Sequence, residues 1–167
     1  MIALVLGGAR SGKSALAESL AQGLPAPVRY LATGSATDPD MAGRIAAHRA
    51  RRPAAWSTVE VGPGGGLAAE LARAGTVLVD SLGTWLAGFE GFRPDQDLAS
   101  ALAAREGDSV VVSEEVGLGV HPATESGRRF RDALGQLNQE VARVADYVAL
   151  VVAGRVLELA PPRGWAS

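Results

Sequence analysis

Eight consecutive residues, Gly7-Gly8-Ala9-Arg10-Ser11-Gly12-Lys13-Ser14, constrain this chain more than any other stretch. They match G-x-x-x-x-G-K-[ST]. The apolar run Ile2-Ala3-Leu4-Val5-Leu6 precedes them and reads as a buried strand, and a helical pattern begins behind them at Ala15. Strand, glycine loop and helix in that order form a phosphate cradle. Glycines let the backbone curl so that several N–H groups converge on phosphate oxygens. The helix N-terminus adds its partial positive charge. In this motif Lys13 reaches the terminal phosphates and the Ser14 hydroxyl ligates Mg²⁺. Lys13 is also the only lysine in the chain, and the other fifteen basic residues are arginines. Lysine has given way to arginine everywhere except where a slim ammonium must fit among phosphates.

The rest of the chain sets bounds. At 167 residues it reads as a single nucleotide-binding domain, 1–167, long enough to bury a real core. A net charge of −2 gives no global attraction to nucleic acid or to an acidic membrane. With no cysteine, disulfides and thiolate metal sites are excluded. The first apolar run is too short for a secretory signal, and no stretch approaches membrane-spanning length. A cytoplasmic protein with no membrane insertion is the expectation.

Apolar runs predict strands over 28–32, 58–61, 76–80, 109–113 and 147–153. Helical spacing predicts helices over 15–24, 39–51, 67–73, 81–86, 95–105 and 125–145. Asp38-Pro39 is a strong helix start. Residues 156–159 are expected to pair back as an antiparallel edge, and 161–167 to be loose. Strands alternating with helices predict an α/β fold of the P-loop NTPase kind. Its sheet is mostly parallel, with helices on both faces.

Chemistry concentrates at the carboxyl ends of these strands, where open α/β sheets gather ligands. Asp80 closes one of them, as a Mg²⁺-side carboxylate does, although it would also serve as a helix N-cap. Glu114 and Glu115 close another. Neighbours on extended backbone point oppositely, so at most one is expected to face a cleft. That one, Glu115 in the reading adopted here, can orient a substrate hydroxyl or support the metal. His48 lies on the Met41 and Ile45 face of the 39–51 helix, crowded by Arg44, Arg49, Arg51 and Arg52. Positive neighbours disfavour the imidazolium. A neutral imidazole is a competent nucleophile, and the arginines can hold a triphosphate against it. An RNA-binding patch is the rival reading, but no interleaved aromatics support it. His121 reads as a loop residue.

Several of these segments together resemble the bifunctional adenosylcobinamide kinase/adenosylcobinamide-phosphate guanylyltransferase family. They are the 7–14 loop, Tyr30-Leu31-Ala32-Thr33-Gly34, Asp40-Met41 with Arg44-Ile45 and His48-Arg49, and Trp56 with Thr58 and Glu60. Further on come Val79-Asp80 with Trp85-Leu86, Glu115-Val116-Gly117, and Gly127-Arg128 through Asn138-Gln139. The resemblance runs through nearly the whole chain in order. It implies that a nucleoside triphosphate, ATP or GTP, phosphorylates the aminopropanol hydroxyl of adenosylcobinamide. GTP then donates GMP to adenosylcobinamide-phosphate through a guanylyl-histidine, here His48. It further implies that Gly7, Gly8, Ala9, Arg10, Ser11, Gly12, Lys13 and Ser14 bind phosphates. Thr33, Gly34, Ser35, Arg49, Ala50, Arg51, Arg52, Glu60 and Asp80 would contact the nucleotide, Ser14 and Asp80 would hold Mg²⁺, and the assembly would be a homotrimer. Four departures stand out. Ser81 and Gly83 replace the family's common Cys and Thr, Glu114 replaces a common Asn, and His121 replaces an aliphatic residue. Two alternatives compete: a monofunctional small-molecule kinase, and a nucleotide-dependent binding module.

Overall fold

In a computed structural model, which describes residues 1–34 and 52–161, the apolar runs become strands. In chain order the elements are β1 (Ile2–Gly7), α1 (Lys13–Gln22), β2 (Val28–Ala32), β3 (Ser57–Glu60), α2 (Leu67–Leu71), β4 (Thr76–Asp80) and α3 (Leu82–Leu86). A 3₁₀ turn, Glu90–Phe92, follows, then α4 (Leu98–Ala104), β5 (Ser109–Glu114), α5 (Glu125–Val144), β6 (Tyr147–Val152) and β7 (Arg155–Glu158). The seven strands form one sheet in the order β3-β2-β4-β5-β1-β6-β7. Every pairing is parallel except β6 with β7. The central strands β1, β4 and β5 are buried almost throughout, as parallel strands covered on both faces must be. β7 is exposed along its whole length and closes the edge. A two-residue turn joins it to β6. Ala153 and Gly154 both have positive φ there, the twist that suits a tight hairpin.

Alternation along the strands divides the core in two. Leu4, Leu6, Val77, Val79 and Val111 face the layer built by α2 to α5, where Trp85, Leu102, Leu134 and Val141 fill the space. Ala3, Val5, Leu78, Val110 and Val112 face the other way, against Ala17 and Ala21 of α1. The parallel arrangement brings the carboxyl ends of β1, β2, β4 and β5 to one rim. Strand β5 lies between β1 and β4, and Glu114 pairs in register with Gly7.

Several boundaries differ from expectation for local reasons. Helix α1 begins at Lys13, not Ala15, because Gly12 takes a left-handed conformation and turns the chain directly into the helix. It ends at Gln22, and the Gly23 N–H closes the last turn on the Leu20 carbonyl at 3.0 Å, before the prolines. Helix α4 starts only at Leu98, since the Asp97 carboxylate accepts the Ser100 N–H at 2.9 Å as an N-cap. Strand β5 runs one residue further than expected, to Glu114. The expected 39–51 helix and the end of the tail lie outside the described residues.

Candidate active site

The loop after β1 is shaped by its own backbone. Gly12 has φ near 100°, a conformation that a side chain would strain. The Ser11 N–H donates to the Gly8 carbonyl at 3.3 Å, and the Lys13 N–H donates to Ser11 Oγ at 3.3 Å. From outside, the Gly154 N–H of the β6–β7 turn donates to the Ser11 carbonyl at 2.8 Å. Helix α1 has no side-chain cap at Gly12 and no acid in its first turn. By contrast, α4 and α5 carry side-chain caps, from Asp97 and Thr124. Apart from the Lys13 N–H, the first N–H groups of α1 carry no side-chain cap, which suits an anion. Lys13 is 8% exposed, and its Nζ donates to the Gly8 carbonyl at 3.2 Å.

These groups form one wall of a cavity of about 860 Å³. Of the residues singled out in the sequence, Gly8, Ala9, Arg10, Ser11, Gly12, Lys13, Ser14, Gly34, Arg52, Glu60, Asp80 and Glu115 line it. Gly7 ends β1 behind the loop. Thr33 is fully buried and does not line the cavity. Its Oγ1 accepts the Ser81 N–H at 2.7 Å and meets Thr84 Oγ1 at 2.6 Å. Thr33 therefore staples the end of β2 to the turn after β4, and its part in nucleotide binding is indirect. Ser35, His48, Arg49, Ala50 and Arg51 lie outside the described residues.

The expectation that only one of Glu114 and Glu115 faces the cleft is overturned, since both line the cavity. Strand alternation stops at Glu114, where β5 ends, so it does not dictate the direction of the next residue. Glu115 Oε1 accepts the N–H of Gly117, at 2.7 Å. Glu114 Oε2 accepts the Gly83 N–H at 3.1 Å, and Oε1 lies 3.7 Å from Lys13 Nζ. A Cβ on residue 83 would come within 2.2 Å of that carboxylate oxygen. Two of the departures seen in the sequence are therefore in contact: glycine at 83 makes room for a carboxylate at 114.

Tyr30 is the residue that sequence reasoning used only as part of a motif. Its hydroxyl donates to Asp80 Oδ2 at 2.5 Å, and the Arg52 guanidinium lies 3.2 Å above the ring centroid. The strand period contained the signal. Tyr30 pairs with Leu78 and Ala32 with Asp80, so the phenol and the carboxylate share one face of neighbouring strands. Burial first, then the Asp80 charge and its hydrogen bond, push the phenol well above its usual value near 10. The neutral phenol is therefore stabilised by folding. That contribution is present below pH 10 and fades as pH rises further. We expect Tyr30→Phe to be less stable than the unmodified protein at pH 8, with the gap in melting temperature narrowing by pH 11. A gap that stays constant would show that the hydroxyl is not stabilised in this way.

The donor set also suits a small hard cation. Ser14 and Asp80 offer only oxygen, and both stand on the cavity wall. Among the described residues no cluster of three or more His, Cys, Asp or Glu could hold a metal alone. Mg²⁺ fits such a place, because it takes one or two protein oxygens and completes its shell with phosphates and water.

Comparison with known proteins agrees with this geometry. The cobinamide kinase/cobinamide phosphate guanyltransferase family matches residues 3–159. The chain is 41% identical to the bifunctional adenosylcobalamin biosynthesis protein CobP of Pseudomonas aeruginosa, over 93% of this chain and 95% of that protein. It is 36% identical to the CobU proteins of Salmonella typhimurium and Escherichia coli, over 92% of this chain and 97% of each. Among solved structures it is similar to an ATPase from the type III secretion system of pathogenic bacteria, with a TM-score of 0.52 and 15% identity. That alignment covers 89% of this chain and 50% of the ATPase, and it speaks for the fold alone. A phosphate cradle, a rim of carboxylates and a family match from residue 3 to residue 159 lead to one assignment: this chain belongs to the cobinamide kinase/cobinamide phosphate guanyltransferase family.

Proposed function

We propose that this chain phosphorylates adenosylcobinamide and then guanylylates the product. The carrying observation is a complete phosphate cradle opposite Asp80 in one cavity, in a chain that the family matches nearly end to end. In the first step the loop N–H groups and Lys13 grip the triphosphate, and ATP or GTP is the donor. Ser14 and Asp80 would hold Mg²⁺, which when bound neutralises charge building on the phosphate oxygens. Tyr30 fixes the Asp80 carboxylate from behind. The aminopropanol oxygen bonds to the γ-phosphorus, and the nucleoside diphosphate leaves.

In the second step neutral His48 attacks the α-phosphorus of GTP and diphosphate departs. The phosphate of adenosylcobinamide-phosphate then takes the GMP, yielding adenosylcobinamide-GDP and free His48. Arg52, four residues after His48, stands on the cavity wall. Its fixed positive charge suits a transition state rich in phosphate oxygens. The same reading takes the chain as a cytoplasmic homotrimer acting on corrinoids and not on nucleic acid. Among the described residues no helix is long and apolar enough to cross a membrane.

The test uses GTP labelled in the α-phosphate. A protein-bound label that survives alkali, is released by acid and disappears in His48→Ala is the expected result. Phosphorylation of adenosylcobinamide without any adduct would instead make the chain a monofunctional kinase. Hydrolysis of nucleotide with no transfer to a corrinoid would make it a binding module.

A further inference from the structure

Four carboxylates line the cavity from the strand ends, Glu60, Asp80, Glu114 and Glu115, and the partners of the last three divide them. Asp80 Oδ2 receives the Tyr30 hydroxyl. Glu115 Oε1 is held by its own loop through the Gly117 N–H. Of the last three, Glu114 alone stands against the phosphate-binding lysine. Its Oε2 is fixed by the Gly83 N–H, and its Oε1 lies 3.7 Å from Lys13 Nζ. That separation exceeds hydrogen-bond range, and Nζ makes its hydrogen bond to the Gly8 carbonyl instead. Lys13 is thus free to turn to a phosphate without breaking a tight bond to Glu114. Among the described residues Oε1 accepts no hydrogen bond. The Gly83 contact aims the carboxylate, because one oxygen is anchored and the other is left facing the cavity.

We propose that Glu114 is the general base of the phosphorylation step. The proposal rests on the kinase half of the function set out above. The group that Lys13 grips in this motif is the terminal phosphate. A carboxylate oxygen beside that ammonium is therefore beside the phosphorus that accepts the alcohol. As the aminopropanol oxygen forms its bond to the γ-phosphorus, its O–H proton passes to Glu114 Oε1. The bond from the γ-phosphorus to the bridging oxygen breaks, and its electron pair leaves with the nucleoside diphosphate. The proton is later released to water. No such proton acceptor is needed for GMP transfer, in which the nucleophiles are a neutral imidazole and an ionised phosphate.

The two half-reactions supply the test. Glu114→Gln keeps the shape and removes the basic oxygen. Phosphorylation of adenosylcobinamide should lose about 10²- to 10⁴-fold in kcat, the usual share of a positioned base. KM for the nucleotide should stay within about twofold. GMP transfer to supplied adenosylcobinamide-phosphate should persist. Gly83→Ala is a second route to the same loss, because its Cβ would displace the carboxylate without touching its charge. A parallel fall in both half-reactions would make Glu114 a brace for Lys13 and overturn the proposal. Unchanged phosphorylation in Glu114→Gln would overturn it as well. If the unmodified protein fails to phosphorylate adenosylcobinamide, the functional reading itself falls, and that outcome is distinguishable from the other two.

Discussion

Lys13→Ala is expected to cost both half-reactions at least about 10²-fold, the typical loss when one fixed donor to developing charge is removed. The effect should be common to both because one triphosphate cradle serves them. Each half-reaction can be followed separately, as phosphate transfer to adenosylcobinamide and as label trapped on protein from GTP. The ammonium belongs to a mostly buried side chain beside the Gly8 carbonyl and Glu114. A truncated side chain leaves the phosphates without that charge and Glu114 facing them alone. Lys13→Arg should fare little better, since a planar fork does not fit the crevice that one ammonium fills. Fifteen arginines elsewhere make this a pointed comparison. Protein labelling that survives in Lys13→Ala would mean that GMP transfer uses a second nucleotide site.

The second large effect is on stability. Trp85 is fully buried on α3 and meets Phe89 edge-on with centroids 4.9 Å apart. Its Nε1–H donates to the Gly65 carbonyl at 2.9 Å. Trp85→Ala removes the largest side chain of the α2–α5 core and takes the donor from Gly65. Such truncations cost about 3–5 kcal/mol. In a chain of this size that corresponds to a fall in melting temperature on the order of 10 °C. Thermal unfolding followed by circular dichroism measures it. A loss below about 1 kcal/mol would show that the surrounding core collapses into the space.

The parts of the fold legible in the sequence are those with a short-range cause. The loop motif located β1 and α1, and uninterrupted Val and Leu runs located β4 and β5. Gly154, just after the last strong apolar run, allowed the turn of the closing hairpin. What escaped depends on geometry between segments. Thr33 sits in a motif and reads as a ligand, yet its hydroxyl is used by Ser81 and Thr84, which lie in the turn and helix after β4. The pairing of Glu114 with Gly83 follows from the register of the sheet and the turn after β4, and neither residue signals the other along the chain. Tyr30 was visible only as an aromatic residue in a strand until β2 and β4 were placed side by side. The rule of alternation failed at Glu115 because a strand end is decided by tertiary packing, which pattern alone does not encode.

The bracing of Ser11 by Gly154 joins two segments far apart in the sequence. Strand β1 is flanked by β5 and β6, so both of its neighbours are made after it. During synthesis the glycine turn is exposed long before anything can hold it in shape. Firm nucleotide capture therefore waits for β6 and the turn that follows it. Ligand that binds only the folded form adds its binding free energy to folding, so a bound nucleotide would aid the closing of this site thermodynamically.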